Sequence, residues 1–221
     1  MLIPTNYTVD STIFQEACSS LPEGGMKTAI NQPTGKFFYD PWVLKDEYKG
    51  TVWETLYNSL PVTKGEARII ILDPGQAYQC HADIDDRYHL NILSDESFLI
   101  DLIQEQMHRF EPDGIWYNMD ASYHHTAANF GKTSRIQLVV RQLLRTNKIT
   151  NPIKVTVKPN SPKLYHARYL FDYYISPWLN SANKNGFITD FEFLGYEATF
   201  IIEQDQIETL KNYLPEGFVL E

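Results

Sequence analysis

Between residues 67 and 141 the chain is cut into short β-rich segments with no helix long enough to carry a crossover, and this constrains the fold more than any other feature. The segments 67–72 (ARIIIL), 78–82, 87–93 (RYHLNIL), 97–103, 105–110, 115–118, 124–128 and 135–141 (RIQLVVR) each read as strands. Turn signals separate most of them: Pro74-Gly75, Ser94-Asp95-Glu96, Pro112-Asp113-Gly114 and Asn129-Phe130-Gly131-Lys132. Parallel neighbours need crossovers of a dozen or more residues. Strands this closely spaced therefore pair antiparallel, and the expected architecture is a mainly β sandwich or barrel such as a jelly roll.

The flanks differ. The first 65 residues read as turns and short helices, with one helix over 11–19 and another over 51–60. The second carries Val52, Trp53, Leu56 and Leu60 at helical spacing and is stopped by Pro61. A short strand is expected at 36–39. The polar stretch 146–152 reads as a linker, and beyond it the order changes. A strand at 153–158 (IKVTVK) precedes a helix from Ser161-Pro162 to about 181. Strands at 187–194 and 198–203, a helix at 206–213 and a last strand at 218–220 follow. That β-α-β-β-α-β order is the pattern of a ferredoxin-like α+β unit. The chain thus divides into 1–148, a β-rich jelly-roll-like domain with an N-terminal helical extension, and 149–221, a small α+β domain.

Composition narrows the function. A net charge of −9 argues against a broad nucleic-acid interface, which needs a basic footprint. No apolar run reaches 18 residues, so no membrane span is expected. The start shows no basic region followed by an apolar stretch. Cys18 and Cys80 sit in no metal or redox spacing and neither require nor exclude one disulfide; Cys80 reads as a buried free thiol, which together with that start points to the cytoplasm.

Five of the six histidines lie between 81 and 125. In His81-Ala82-Asp83 the imidazole and the carboxylate are two apart, so on a strand both project from one face. His125, 44 positions later, offers a third ligand. Two histidines and a carboxylate leave open positions on a metal, as in non-haem Fe(II) oxygenases, although the same ligands suit Zn, Mn and Ni. A strand-end His bonded to a nearby Asp is the plainer reading of His-x-Asp alone.

Arg135 opens its strand ten positions after His125. A barrel-facing Arg is costly without an anion, and its fork suits a carboxylate. Arg87 and His89 share a strand face close to His81 in sequence. Cationic groups beside a metal pocket in an acidic protein want a small acidic molecule, and a dicarboxylic 2-oxo acid fits.

The block Leu72-Asp73-Pro74-Gly75 … His81-Ala82-Asp83 … Arg87-Tyr88-His89-Leu90 resembles the aspartyl/asparaginyl β-hydroxylase family. So does Trp116 … Asp120-Ala121-Ser122-Tyr123-His124-His125 … Asn129 … Arg135-Ile136-Gln137-Leu138. The resemblance implies a double-stranded β-helix (jelly-roll, cupin-like) core and Fe(II)/2-oxoglutarate/O2 chemistry, with His81, Asp83 and His125 as iron ligands. It makes Arg135 the 2-oxoglutarate anchor, and Arg87 and His89 further contacts to the cosubstrate. It also implies hydroxylation of an amino-acid side chain, free or in a peptide or protein.

Neighbouring residues read more plainly. His124 is a structural or rim residue, Asn129 either caps a turn or lines the pocket, and Trp116 and Tyr117 are core or rim aromatics with Trp116 a possible pocket residue. His166 reads as surface or packing, and Asp85-Asp86 as a solvated turn. The competing reading is a cupin-like metal-binding or sensor protein without oxygenase activity. A third, compatible with the first, has the ferredoxin-like segment recruiting a macromolecule.

Overall fold

The computed structural model describes residues 2–23, 25–35, 40–81, 83, 86–102, 104–121, 124–143, 149–161 and 166–221. The chain opens with β1 (Leu2–Thr8), α1 (Phe14–Ser19), β2 (Lys27–Ala29), β3 (Asn31–Pro33), β4 (Trp42–Leu44) and α2 (Val52–Asn58). Next come β5 (Lys64–Leu72), β6 (Arg87–Leu93), β7 (Ser97–Asp101), β8 (Gln106–Arg109), β9 (Ile115–Met119), β10 (His125–Asn129) and β11 (Arg135–Gln142).

Six strands form a large sheet in the order β1-β9-β6-β11-β5-β2, and three form a small one in the order β10-β7-β8. Residues 77–81 extend the small sheet along β10 through bridges at Ala77↔Ala128 and His81↔His125. The chain therefore alternates between sheets: β5 large, 77–81 small, β6 large, β7 and β8 small, β9 large, β10 small, β11 large. Every pairing is antiparallel. This is the expected double-stranded β-helix.

The strand period of two decides which side chains face the cavity between the sheets. On the outer face of the large sheet, Tyr88, Leu90, Ile136, Leu138 and Val140 join Trp53, Leu56 and Leu60 in one apolar cluster. α2 is thereby packed on the sheet by the stripe its spacing foretold, and Thr51 caps it by accepting from the Trp53 N–H. On the inner face stand Arg87 and His89 of β6, Arg135 and Gln137 of β11, and Arg68 of β5. A one-residue slip would exchange the two sets.

The N-terminal segment holds more strand than expected. β1 pairs with β9 and β2 with β5, each at an edge of the large sheet. β1 (LIPTNYT) hides its character because it mixes polar residues with Pro4, which an edge position tolerates since no ladder N–H is required there. Its end is fixed at Gly114, whose carbonyl accepts from the Val9 N–H at 2.8 Å. Gly114 has φ +80°, and a Cβ there would lie 2.3 Å from the Val9 carbonyl oxygen, so the turn before β9 requires glycine. The strand expected at 36–39 lies outside the described residues, as do 146–148 of the expected linker.

The C-terminal part comprises β12 (Pro152–Pro159), α3 (Ala167–Leu170), α4 (Ser176–Lys184), β13 (Ile188–Leu194), β14 (Glu197–Glu203), α5 (Ile207–Tyr213) and β15 (Phe218–Leu220). Its antiparallel sheet runs β13-β14-β12-β15, the strand order of a ferredoxin-like unit. It buries its own apolar cluster, including Val157, Phe171, Leu179 and Phe200. The single helix expected to end near 181 is instead α3, a π-helical turn over Phe171–Ile175, and α4, which runs on to Lys184. Polar ties join this part to the β-helix: Lys184 Nζ lies 2.8 Å from Asp86 and 3.3 Å from Asp120. Asp86 thus belongs to an ion pair and not to a solvated turn, while Asp85 lies outside the described residues. Among the described residues, no helix is long and apolar enough to cross a membrane.

Candidate metal centre

His81 and His125 are directly opposed on neighbouring chain segments. Each backbone N–H donates to the other's carbonyl, at 3.0 and 2.9 Å. Residues so paired project from the same face of the sheet, and the two ring centroids are 4.7 Å apart. The His81 Nδ1 lies 2.7 Å from the Gln79 carbonyl oxygen, a contact that fixes the ring with Nε2 inward.

Asp83 completes the group, its backbone N–H bonded to the Ala121 carbonyl at 2.7 Å. Its Oδ2 lies 3.5 Å from His81 Nε2 and 3.7 Å from His125 Nε2, while Oδ1 accepts from Arg87 Nη2 at 2.7 Å. One carboxylate oxygen is thus oriented by an arginine, and the other looks at both imidazoles. One candidate ligand atom from each of His81, Asp83 and His125 lies within 4.8 Å of the others. Burial would raise the Asp83 pKa, but Arg87, His81 and His125 together hold it well below the usual carboxylate range. The hydrogen bond with Asp83 raises that of His81 against the opposing effect of burial. Two imidazole nitrogens and one carboxylate oxygen converging in this way fit a first-row divalent ion.

The cavity continues inward from this group. Arg135, 1% exposed, starts β11 opposite Leu72 at the end of β5. Its guanidinium carbon sits 4.8 Å from the Phe110 ring centroid and 5.5 Å from that of Tyr78. Nε and Nη1 have no hydrogen-bond partner among the described residues. Burial lowers the Arg135 pKa, with Tyr78 partly offsetting it. His89 stacks on Phe110 with both ring nitrogens buried and without hydrogen-bond partners among the described residues. Burial first, then Arg135 and Arg87, push its pKa down to about 3, so the ring is neutral. Orphaned donors of this kind cost free energy unless a ligand meets them. A carboxylate fits the Arg135 fork.

The sequence reading placed Arg87 on the cosubstrate. Arg87 lines the cavity and donates to Asp83 Oδ1, so it orients that carboxylate. Asn129 and Trp116 are corrected: neither lines the cavity. The Asn129 amide donates to the Leu72 and Thr133 carbonyls at 2.8 Å each, and its Oδ1 accepts from the Gly131 N–H, which closes the turn before β11. Trp116 is fully buried on the outer face of its strand and donates to Ser59 Oγ. His124, on the opposite side from His125, meets the C-terminal part: Nε2 is 3.5 Å from Asp172, and the ring stacks on Tyr173. Lys27, Arg68, Tyr78 and Phe110 also line the cavity, although nothing in the local sequence marks them. Only the alternation along β5 could have pointed to Arg68, between the outward Ala67 and Ile69.

The fold and the site together define a mainly β, double-stranded β-helix protein with a His-Asp-His group that could hold a metal ion. Residues 50–143 match the family model for aspartyl/asparaginyl beta-hydroxylase, and the chain is similar to that family over this stretch. No curated protein matches the chain. Solved structures similar to it include a cupin domain from Bordetella pertussis Tohama I, 12% identical with a TM-score of 0.32, covering 37% of this chain and 84% of that one. Another is a sugar phosphate isomerase from a cupin superfamily, from Silicibacter pomeroyi DSS-3. It is 12% identical with a TM-score of 0.32, and the match covers 70% of this chain and 80% of that one.

Proposed function

We propose that this protein is a cytoplasmic Fe(II)- and 2-oxoglutarate-dependent dioxygenase that hydroxylates an unactivated C–H of an amino-acid side chain, free or within a peptide or protein. His81, Asp83 and His125 would hold the iron, with Asp83 kept ionised and aimed by Arg87. Bound iron, 2-oxoglutarate and O2 together supply the oxidant, with succinate and CO2 as coproducts. Arg135 binds the distal carboxylate of the cosubstrate, and the Phe110 and Tyr78 rings exclude water from that contact. His89, neutral and without a partner among the described residues, offers a hydrogen bond to the same molecule. Lys27 and Arg68 add positive potential to the cavity. The free thiols Cys18 and Cys80 suit a reducing compartment.

The observation that carries this reading is the buried Arg135 with two nitrogens lacking partners among the described residues. A cupin-like metal protein or sensor without a carboxylate cosubstrate has no use for it, since an uncompensated buried charge is strongly disfavoured. The family match over 50–143 adds independent support for a hydroxylase. The test is anaerobic titration with Fe(II) and then 2-oxoglutarate, followed by succinate assays on admission of O2. Iron binding and the metal-to-ligand absorption of a chelated 2-oxo acid are expected. Iron binding without any 2-oxoglutarate binding would favour the sensor reading.

A further inference from the structure

The inner cavity has a side of its own that faces solvent. In the large sheet the edge strand beyond β5 is β2, and residues 77–81 lie outside β10 at the edge of the small sheet. Among the described residues neither edge pairs with a further strand. Lys27 of β2 reaches from one edge to the other, its Nζ 4.9 Å from the centroid of the Tyr78 ring. Lys27 lines the cavity and yet is exposed. Arg135, 5.5 Å from the centroid of the same ring, is 1% exposed. One tyrosine thus carries a cation open to solvent and a cation sealed from it, which marks a route from the surface to the Arg135 fork.

The charges along this route are open. Of the lysine and arginine residues that line the cavity, Arg68 is held by Glu66 at 2.5 Å and Arg87 by Asp83 at 2.7 Å. Lys27 and Arg135 have no ion pair among the described residues. His81 and Asp83 can also be reached from the opposite side, through an outer cleft walled by Arg168, Asp172 and Phe193 of the C-terminal unit. His81 and Asp83 border both spaces, as would a metal ion held by them, so their charges favour neither approach. What distinguishes the two is the rest of the lining. The outer cleft adds an Arg168–Asp172 pair closed on itself at 2.5 Å, whereas the inner route adds two uncompensated cations. A dianion is drawn along the second. We infer that the dicarboxylate enters the inner cavity between β2 and residues 77–81, guided by Lys27 and passed on to Arg135, while the outer cleft is left to the molecule that is hydroxylated. This rests on the proposed oxygenase reading. It adds a separate entrance for the cosubstrate and a positioning residue, Lys27, outside the stretch 50–143 that the family model covers.

The test is the rate of binding, read by stopped flow under nitrogen on the full chain with Fe(II) as the absorption of chelated 2-oxoglutarate appears. A charge at the rim acts on association and its salt dependence, whereas a buried partner acts on dissociation. Lys27→Gln should therefore slow association by about three- to tenfold and change the dissociation rate by less than about twofold. Lys27→Glu should slow it further, and Lys27→Arg should restore it. Raising the ionic strength from about 0.01 to about 1 M shortens the screening length from roughly 30 to 3 Å, so wild type and Lys27→Gln should converge. Arg168→Gln, which changes only the outer cleft, should associate within about twofold of wild type. An unchanged association rate in Lys27→Gln overturns the inference, as does a larger slowing in Arg168→Gln or a Lys27 effect that is the same at both ionic strengths. If wild type shows no chelate absorption, glutarate is followed in the metal-free protein by NMR line broadening, since it has both carboxylates and no 2-oxo group. Association that depends on Lys27 there keeps the entrance while the oxygenase reading falls. A wild type that takes up neither anion overturns both.

Discussion

His81 and His125 exchange both backbone hydrogen bonds, at 3.0 and 2.9 Å, so two imidazoles separated by 44 positions are fixed side by side by main chain alone. The pairing also decides between the adjacent histidines at 124 and 125, because the neighbouring strand position points the other way. His81→Ala and His125→Ala are each expected to remove most Fe(II) binding in anaerobic equilibrium dialysis. His124→Ala should retain it and lose only the contacts with Asp172 and Tyr173. Full iron occupancy in either of the first two variants would refute the ligand set.

Arg135→Ala should keep its iron and lose 2-oxoglutarate. Removing a buried charge-assisted partner costs about 2–5 kcal/mol, or roughly 30- to several-thousand-fold in affinity. Arg135→Lys should recover a part, since Lys keeps the charge but not the bidentate geometry. The readout is the absorption that appears when 2-oxoglutarate is added without O2. An unchanged dissociation constant in Arg135→Ala would remove the anchor from the proposal.

Asn129 separates pocket from scaffold. Its three hydrogen bonds close the turn before β11, so Asn129→Ala leaves the Leu72 and Thr133 carbonyls each short of a donor. A loss of about 2–4 kcal/mol in urea unfolding is expected. The ratio of 2-oxoglutarate to iron bound by the folded fraction should not change. A selective loss of cosubstrate binding would return Asn129 to the pocket.

His89 makes stability depend on pH. Its folded pKa of about 3 lies below the ordinary 6.5, because the fold holds the neutral ring. Below about pH 6.5 the unfolded chain takes up a proton that the folded chain refuses, so stability falls as pH drops toward 3. At pH 5 the loss from this group is about 2 kcal/mol relative to pH 7.5. Urea unfolding of the metal-free protein should show this slope, and His89→Gln should flatten it. Identical slopes in the two proteins would mean that His89 is protonated in the fold.

Lys184 holds the two parts together, and its Asp86 partner sits only 2.8 Å away. Lys184→Ala is expected to lower stability by about 1–3 kcal/mol, the range for hydrogen bonds to charged groups. Limited proteolysis should cut first near 146–152 and should cut Lys184→Ala faster. The fragment ending before the cut should keep its iron, because all three ligands precede it in the sequence. First cleavage within 70–140 would speak against a division of the chain at 148/149.

The sequence by itself determined the strand succession from β5 to β11 and the βαββαβ order after residue 150, and it marked His81, Asp83, His125 and Arg135 as candidates. These were legible because they depend on local regularities: a period of two, turn dipeptides, and residue types whose burial makes sense only with a ligand. Tertiary structure alone decided what depends on distant pairing. β1 and β2 are strands because the large sheet has edges to cover, not because LIPTNYT or KTA favour extension by composition. Asn129 and Trp116 left the pocket because a hydrogen-bonded turn and an outward strand face claimed them. Lys27 and Arg68 entered it because β5 lies beside β11 and β2 beside β5, with β6 on the other flank of β11. Arg168 and Asp172 came to share a cleft with His81 and Asp83 only when the C-terminal unit packed against the β-helix, a contact between parts more than 80 residues apart that no local pattern encodes.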